Sequence, residues 1–163
     1  MKLEGSCHCC AVRFVVDAIV PVPYARCYFS ICRKTAGGGG YAINLDARRQ
    51  TMHVTGRENV SVYRARRPDP KRKGKVRLSG LRRHFCKRCG SALWAAEPDS
   101  DWVHPFASAI DTPMPKPRAH MSIMLDFAAP WVRVPAGKND LRCAVYSDRS
   151  YEVWARKLGY WED

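Results

Sequence analysis

Short runs of alternating apolar and polar residues dominate the chain. VRFVV, YAINL, TMHVTG, NVSVYRAR, KVRLSGLRRHF, SALWAA and HMSIML each carry β-branched or aromatic residues at period-two spacing, bounded by Gly, Pro, Asn or Asp. Successive side chains of a strand point to opposite faces, so this alternation predicts half-buried strands. The segment SDRSYEVWARKLGYWED follows another period: Ser147 or Ser150 can cap a helix, and Tyr151, Trp154, Leu158 and Trp161 then share one face. That stripe reads as core packing. The pattern predicts one mainly β domain of antiparallel strands over 1–163, with a short helical segment after Cys32 and a C-terminal helix over about 147–161.

With 163 residues, 46% hydrophobic and 10% aromatic, the chain can bury a sizeable core. No stretch approaches the ~20 apolar residues of a membrane span, and VRFVVDAIVPV and SIMLDFAAPWV are each interrupted by an aspartate. MKLEGSC has no apolar signal-peptide core. These features predict no membrane partner and a reducing, cytoplasmic setting. There the eight cysteines serve as metal ligands or free thiols rather than disulfides.

Charge adds a second theme. Lys and Arg number 28 against 15 Asp and Glu, a formal +13. Four thiolates around one zinc would lower this to about +11. Such a field attracts anions without choosing among them. Its densest part is RARRPDPKRKGKVR, Arg64 to Arg77, with eight basic residues and one acid around two prolines and a glycine. It reads as a hairpin tip or longer loop between two strands. Clustered Lys and Arg suffice for contact with nucleic acid, although such loops are commonly just solvated. Tyr63 is the one aromatic residue nearby, so a base-stacking platform is not predicted.

The cysteines carry the chemistry. Cys7-His8-Cys9 and Cys86-Lys87-Arg88-Cys89-Gly90 each offer half of a tetrahedral zinc site, whose sulfurs stand roughly 3.8 Å apart for Zn–S bonds of ~2.3 Å. In an extended chain Cys7 and Cys9 face the same side, with His8 opposite and outside the ligand set. Gly90 permits the positive φ that a tight CxxC turn requires. Joining the pairs ties the N-terminal strand to a mid-chain hairpin. Cys143 reads as a core thiol and Cys10 as a spare one.

Taken together, Gly5-Ser6-Cys7-His8-Cys9, Cys27 to Lys34 and Phe85 to Gly90 resemble the glutathione-dependent formaldehyde-activating family, which includes CENP-V-like proteins. The resemblance runs from about residue 4 to 134; Asp111-Thr112-Pro113 and Ala129-Pro130-Trp131-Val132 are its weaker C-terminal landmarks. It implies a zinc-pinned β-tent fold with a structural zinc on Cys7, Cys9, Cys86 and Cys89. In active members a second, catalytic zinc accompanies carbon–sulfur lyase chemistry, which joins formaldehyde to the glutathione thiol and reverses that reaction.

In the family the middle motif resembles Cys-His-Cys-Ser-x-Cys-Arg-Lys, whereas this chain reads Cys27-Tyr28-Phe29-Ser30-Ile31-Cys32-Arg33-Lys34. Cys27 and Cys32 stand in register as catalytic residues and ligands of a second zinc. Tyr28 replaces the histidine, and Phe29 replaces the middle cysteine. A catalytic zinc keeps three protein ligands and one open position, so Phe29 is expected to impair the site. Cys10, His84, His53 and Asp46 are the candidate replacement ligands. Arg33 and Lys34 can hold a carboxylate of a thiol substrate such as glutathione, with Gly37 in the glycine run beside them; a solvated helix start and a flexible turn account for the same residues equally well. Two other readings stand beside the lyase: a basic module that binds nucleic acid or another polyanion, and a metal-free redox pair of Cys27 and Cys32.

Overall fold

The computed structural model describes residues 1–146 and 151–161. Twelve strands and two helices follow in chain order: β1 (Lys2–Ser6), β2 (Arg13–Val20), β3 (Ala25–Cys27), α1 (Ser30–Ala36), β4 (Ala42–Ile43), β5 (Asp46–Arg48), β6 (His53–Thr55), β7 (Val60–Pro68), β8 (Val76–Cys86), β9 (Ala92–Ala96), β10 (Trp102–Pro105), β11 (Met121–Ile123), β12 (Leu141–Arg142) and α2 (Tyr151–Lys157). The larger sheet runs β1-β2-β5-β10-β9-β8-β7, with β6 also on β2, and the smaller runs β12-β11-β3-β4.

The alternation works as expected in the larger sheet. Phe14, Val16 and Ala18 of β2 turn inward while Arg13 and Asp17 face out. With Leu3, Leu93, Trp94 and Val103 they form one core. A second core gathers under the smaller sheet around Tyr24, Met121, Ile123 and Trp154, and it contains Cys27 and Cys32. The smaller sheet departs from a purely antiparallel arrangement, because β11 pairs parallel to both β3 and β12. Parallel partners arrive from distant parts of the chain, and a period of two carries no record of direction.

The C-terminal helix is shorter than its stripe of apolar residues. Ser147 and Ser150 lie outside the described residues. The amides of Gly159 and Tyr160 close the end of α2 on the carbonyls of Arg156 and Ala155, the paired bonds of a Schellman motif. Trp154 stacks on Tyr24 at 5.1 Å. Tyr160 accepts the amide of Ala119 on its hydroxyl at 2.9 Å. The helix therefore seats on the second core.

The glycine run after α1 has two constrained positions and two free ones. A Cβ on Gly37 would stand 1.9 Å from the Tyr41 carbonyl oxygen. Gly40 has φ +84° and a Cβ there would meet Val132 at 2.2 Å. Nothing lies within 4 Å of a Cβ on Gly38. Val132 belongs to the Ala129–Val132 landmark, so that segment and the glycine run hold each other. Gly37→Ala is expected to destabilise by about 1–3 kcal/mol through forced backbone movement, and Gly40→Ala by a similar amount through strain and clash. Gly38→Ala should be neutral or slightly stabilising. Denaturant midpoints of the three variants against the parent check this order.

Candidate metal centre and inner thiol pair

Two tight turns face each other across the first core. At one, the Cys7 amide donates to the Val12 carbonyl, the Cys10 amide to the Cys7 carbonyl, and the Val12 amide to the Cys7 sulfur at 3.2 Å. At the other, the Cys86 amide donates to Ser91 and the Gly90 amide to Cys86, with Gly90 at φ +76°. The Sγ atoms of Cys7 and Cys9 stand 3.6 Å apart, and those of Cys9 and Cys86 stand 3.8 Å apart. All four sulfurs, including that of Cys89, lie within 4.8 Å of one another. This matches the edge of a tetrahedron around a soft cation, and the cluster can hold a metal ion.

The local route to that cluster differs from the extended CxC segment expected from sequence. β1 stops at Ser6, and Cys7 to Cys10 form a turn. The chain must reverse into β2, and the amides it frees there point at sulfur instead of a neighbouring strand. His8 is exposed and outside the cluster, its amide bonded to the Ser91 hydroxyl. Cys10 is also outside, exposed and held at φ +57°, a conformation that suits glycine.

The thiols of the cluster are shifted in opposite directions by their neighbours. The Ser91 hydroxyl and amide and the Cys9 amide hold the Cys89 thiol down at about 5. Cys9 receives the Ala11 amide, which favours its thiolate, yet desolvation and the thiols of Cys7, Cys89 and Cys86 push it up to about 11. One thiolate thus suppresses the next, as like charges in contact must.

The second group touches β8 through a contact between Cys32 and Arg83, 51 positions apart in the chain. Cys27 ends β3, and Cys32 sits in α1; both are buried. Arg83 of β8 is also buried and sends Nη2 to the Cys32 sulfur at 3.7 Å, while its Nη1 finds no acceptor among the described residues. A hydrogen bond from Cys27, together with the Arg83 guanidinium, lowers the Cys32 thiol to about 6 against the opposing effect of burial. The same bond to Cys32, and burial, push Cys27 far upward. One thiolate, one thiol and one guanidinium result.

Phe29 packs against this core, edge-on to Phe127 at 4.9 Å, and the Arg67 guanidinium lies 5.5 Å above its ring. Tyr28 is fully buried and leans on Tyr41. None of the candidate replacement ligands joins Cys27 and Cys32 in a cluster of three donors among the described residues. His84 instead stacks on Trp94 at 4.9 Å, and Asp46 accepts from His104 at 2.9 Å. His53 is exposed on β6, and Cys143 is half-buried against the second core. The donor set at Cys27 and Cys32 therefore does not fit a three-ligand metal site.

Arg33, Lys34 and Gly37 line one depression with Ser108. Through Thr35 and Ala92 it adjoins a mostly apolar cavity of about 350 Å³ that reaches Arg83 and Phe106. Arg83 and Arg67 were missed in the sequence, where each is one arginine in a basic stretch and only strand pairing reveals which face it takes.

Two facing thiol turns on a mainly β frame bring four cysteines into a cluster that can hold a metal ion, with a buried pair of thiols beside Arg83. The chain belongs to the glutathione-dependent formaldehyde-activating family: residues 2–124 match the family model described as "Glutathione-dependent formaldehyde-activating enzyme". A relative from Halomonas elongata, named "Putative glutathione-dependent formaldehyde-activating enzyme", is 47% identical over 164 aligned positions and covers 98% of both chains. A crystal structure of a Rhodobacter sphaeroides protein shares the fold at TM-score 0.52 and 23% identity, over 69% of this chain and 91% of that one. No helix among the described residues is long and apolar enough to cross a membrane.

The left-handed backbone at Cys10 yields a direct check. Cys10→Gly is expected to stabilise the protein by about 1 kcal/mol, since a side chain at that φ costs about 1–2 kcal/mol and glycine's extra unfolded-state freedom returns part of it. The metal content per chain should stay unchanged. Thermal melts combined with elemental analysis measure both.

Proposed function

We propose that the chain makes and breaks the carbon–sulfur bond between a small aldehyde, formaldehyde or a bulkier one, and the thiol of glutathione. Zinc on Cys7, Cys9, Cys86 and Cys89 holds the fold, and the inner site carries the reaction. The observation that supports this reading is the run of cations from Arg33 and Lys34 to Arg83, along a depression and cavity that join at Thr35 and Ala92. Glutathione brings carboxylates and a thiol. Arg33 and Lys34 suit the former, and a fixed guanidinium favours the thiolate form of the latter.

In the forward direction the thiolate sulfur adds to the carbonyl carbon, the C=O electron pair moves to oxygen, and that oxygen takes a proton. The reverse expels the thiolate and restores the carbonyl, with no net oxidation. Water supplies and takes back that proton, because Cys27 is held firmly as a thiol beside Cys32. No step is assigned to a second zinc, because a site short of one thiolate loses roughly 3 kcal/mol, over a hundredfold in affinity. Phe29 on this reading lowers activity relative to a three-thiolate site.

Two measurements bear on the proposal. Purified protein with one zinc per chain should accelerate adduct formation between glutathione and an aldehyde above the buffer rate, followed by loss of free thiol. Equal rates with and without protein, for both formaldehyde and a bulkier aldehyde, would remove the enzymatic reading. Phe29→Cys is expected to raise bound zinc from one to two per chain by elemental analysis and to increase the rate; two zincs already in the parent would mean that another residue completes the site.

A further inference from the structure

β7 and β8 pair well beyond the rest of the sheet. The last β9 contact along β8 is Arg82 opposite Ala96, whereas the β7–β8 ladder continues through Arg66–Leu78 and Arg67–Arg77 to Pro68–Val76. The segment from about 65 to 80 is thus a two-stranded ribbon with strand neighbours on neither edge. At ~3.3 Å per residue it reaches roughly 20 Å out to its turn.

Its charges are arranged against its own stability. Arg64 stands directly opposite Arg82, and Arg67 directly opposite Arg77. Facing like charges destabilise a ladder. No carboxylate forms an ion pair with any of the ribbon's basic side chains among the described residues. Asp69, the ribbon's one acid, accepts the Lys71 amide within the turn. Buried Ala65 marks the face that looks toward the body, and Arg67 on that face lies over Phe29. Arg64 and Arg66 alternate to the outer face, and the turn adds Lys71, Arg72, Lys73 and Lys75, all exposed.

We propose that this ribbon docks in the major groove of a nucleic-acid duplex, its outer-face arginines and turn lysines on the phosphates. The major groove, about 12 Å wide, admits a two-stranded ribbon. Arginine suits phosphate through its planar fork of donors. The turn Asp69-Pro70-Lys71-Arg72-Lys73-Gly74-Lys75 offers no large apolar or aromatic side chain, and the exposed Val76 and Leu78 stand behind it on the paired strands. Contacts of this kind read charge and groove shape rather than base identity.

Fluorescence anisotropy with a labelled mixed-sequence duplex tests the proposal at about 50 and about 200 mM salt, where four phosphate contacts weaken binding roughly a hundredfold. The parent is expected to bind with that salt dependence. The double variant Arg66→Glu, Lys73→Glu should lose at least about tenfold in affinity at the lower salt and show roughly half the salt slope. Both positions are exposed, and an unchanged melting temperature and zinc content verify the fold. No duplex binding, salt-insensitive binding, or equal binding by the double variant overturns the proposal. So does equal or tighter binding to phosphatidylserine vesicles or to a single strand of the same length, which would place the charge on a surface other than a duplex groove.

Discussion

Four sulfur atoms within 4.8 Å of one another are the constraint on which the rest of this structure turns. Their chain positions are far apart, with Cys9 and Cys86 separated by 77 residues. Bringing such points together costs chain entropy that grows slowly with loop length, and crowding four ionisable thiols adds repulsion. A cation reverses the second cost, since the groups that repel as thiolates all attract the metal. The cluster is then both a closure of the chain and a register lock, because Cys86 is the last residue of β8.

That lock explains how the inner site acquires its geometry. Arg83 lies three residues before Cys86 on the same strand, and its guanidinium reaches the sulfur of Cys32 in α1. Placement of the guanidinium is therefore set from the cluster, through a strand paired on both edges at that point. The hydrogen bond between Cys27 and Cys32 pushes the first thiol up and the second down, and the Arg83 guanidinium adds to the second shift. Phe29 packs on the same core, edge-on to Phe127.

How far these features were legible in the sequence depends on how local their causes are. β2 follows from alternation because its first half buries one face, whereas β9 is buried at four successive residues and was found from its β-branched and aromatic content and bounding turns. β3, β5, β10 and β12 are two to four residues long, and so short a run carries no period. The zinc-type spacing of Cys7, Cys9, Cys86 and Cys89 was readable, since ligand geometry restricts spacing directly. The turn conformation of Cys7 to Cys10 was not, because amide-to-sulfur bonds leave no composition signal. His84 illustrates the limit most clearly. In a regular strand it would share a face with Cys86, but it pairs directly opposite Trp94 and stacks on that ring, and the register shifts only beyond it, between His84 and Phe85. A bulge is one extra residue, invisible to a count of two.

The same ribbon also divides the protein's positive charge between two physical regimes. Arg83 faces inward onto the Cys32 sulfur, where water is largely excluded, while Arg67 lies over the Phe29 ring yet stays exposed. Arg64, Arg66 and the turn lysines face solvent. Mobile ions screen exposed charges beyond about 8 Å at physiological ionic strength and screen buried pairs much less. Added salt should therefore silence the outer face while leaving the guanidinium–sulfur contact intact. A formal charge of +13 is consequently not one property of the molecule. Part of it is fixed chemistry at a buried sulfur, and part is a long-range field whose reach the surrounding solution decides.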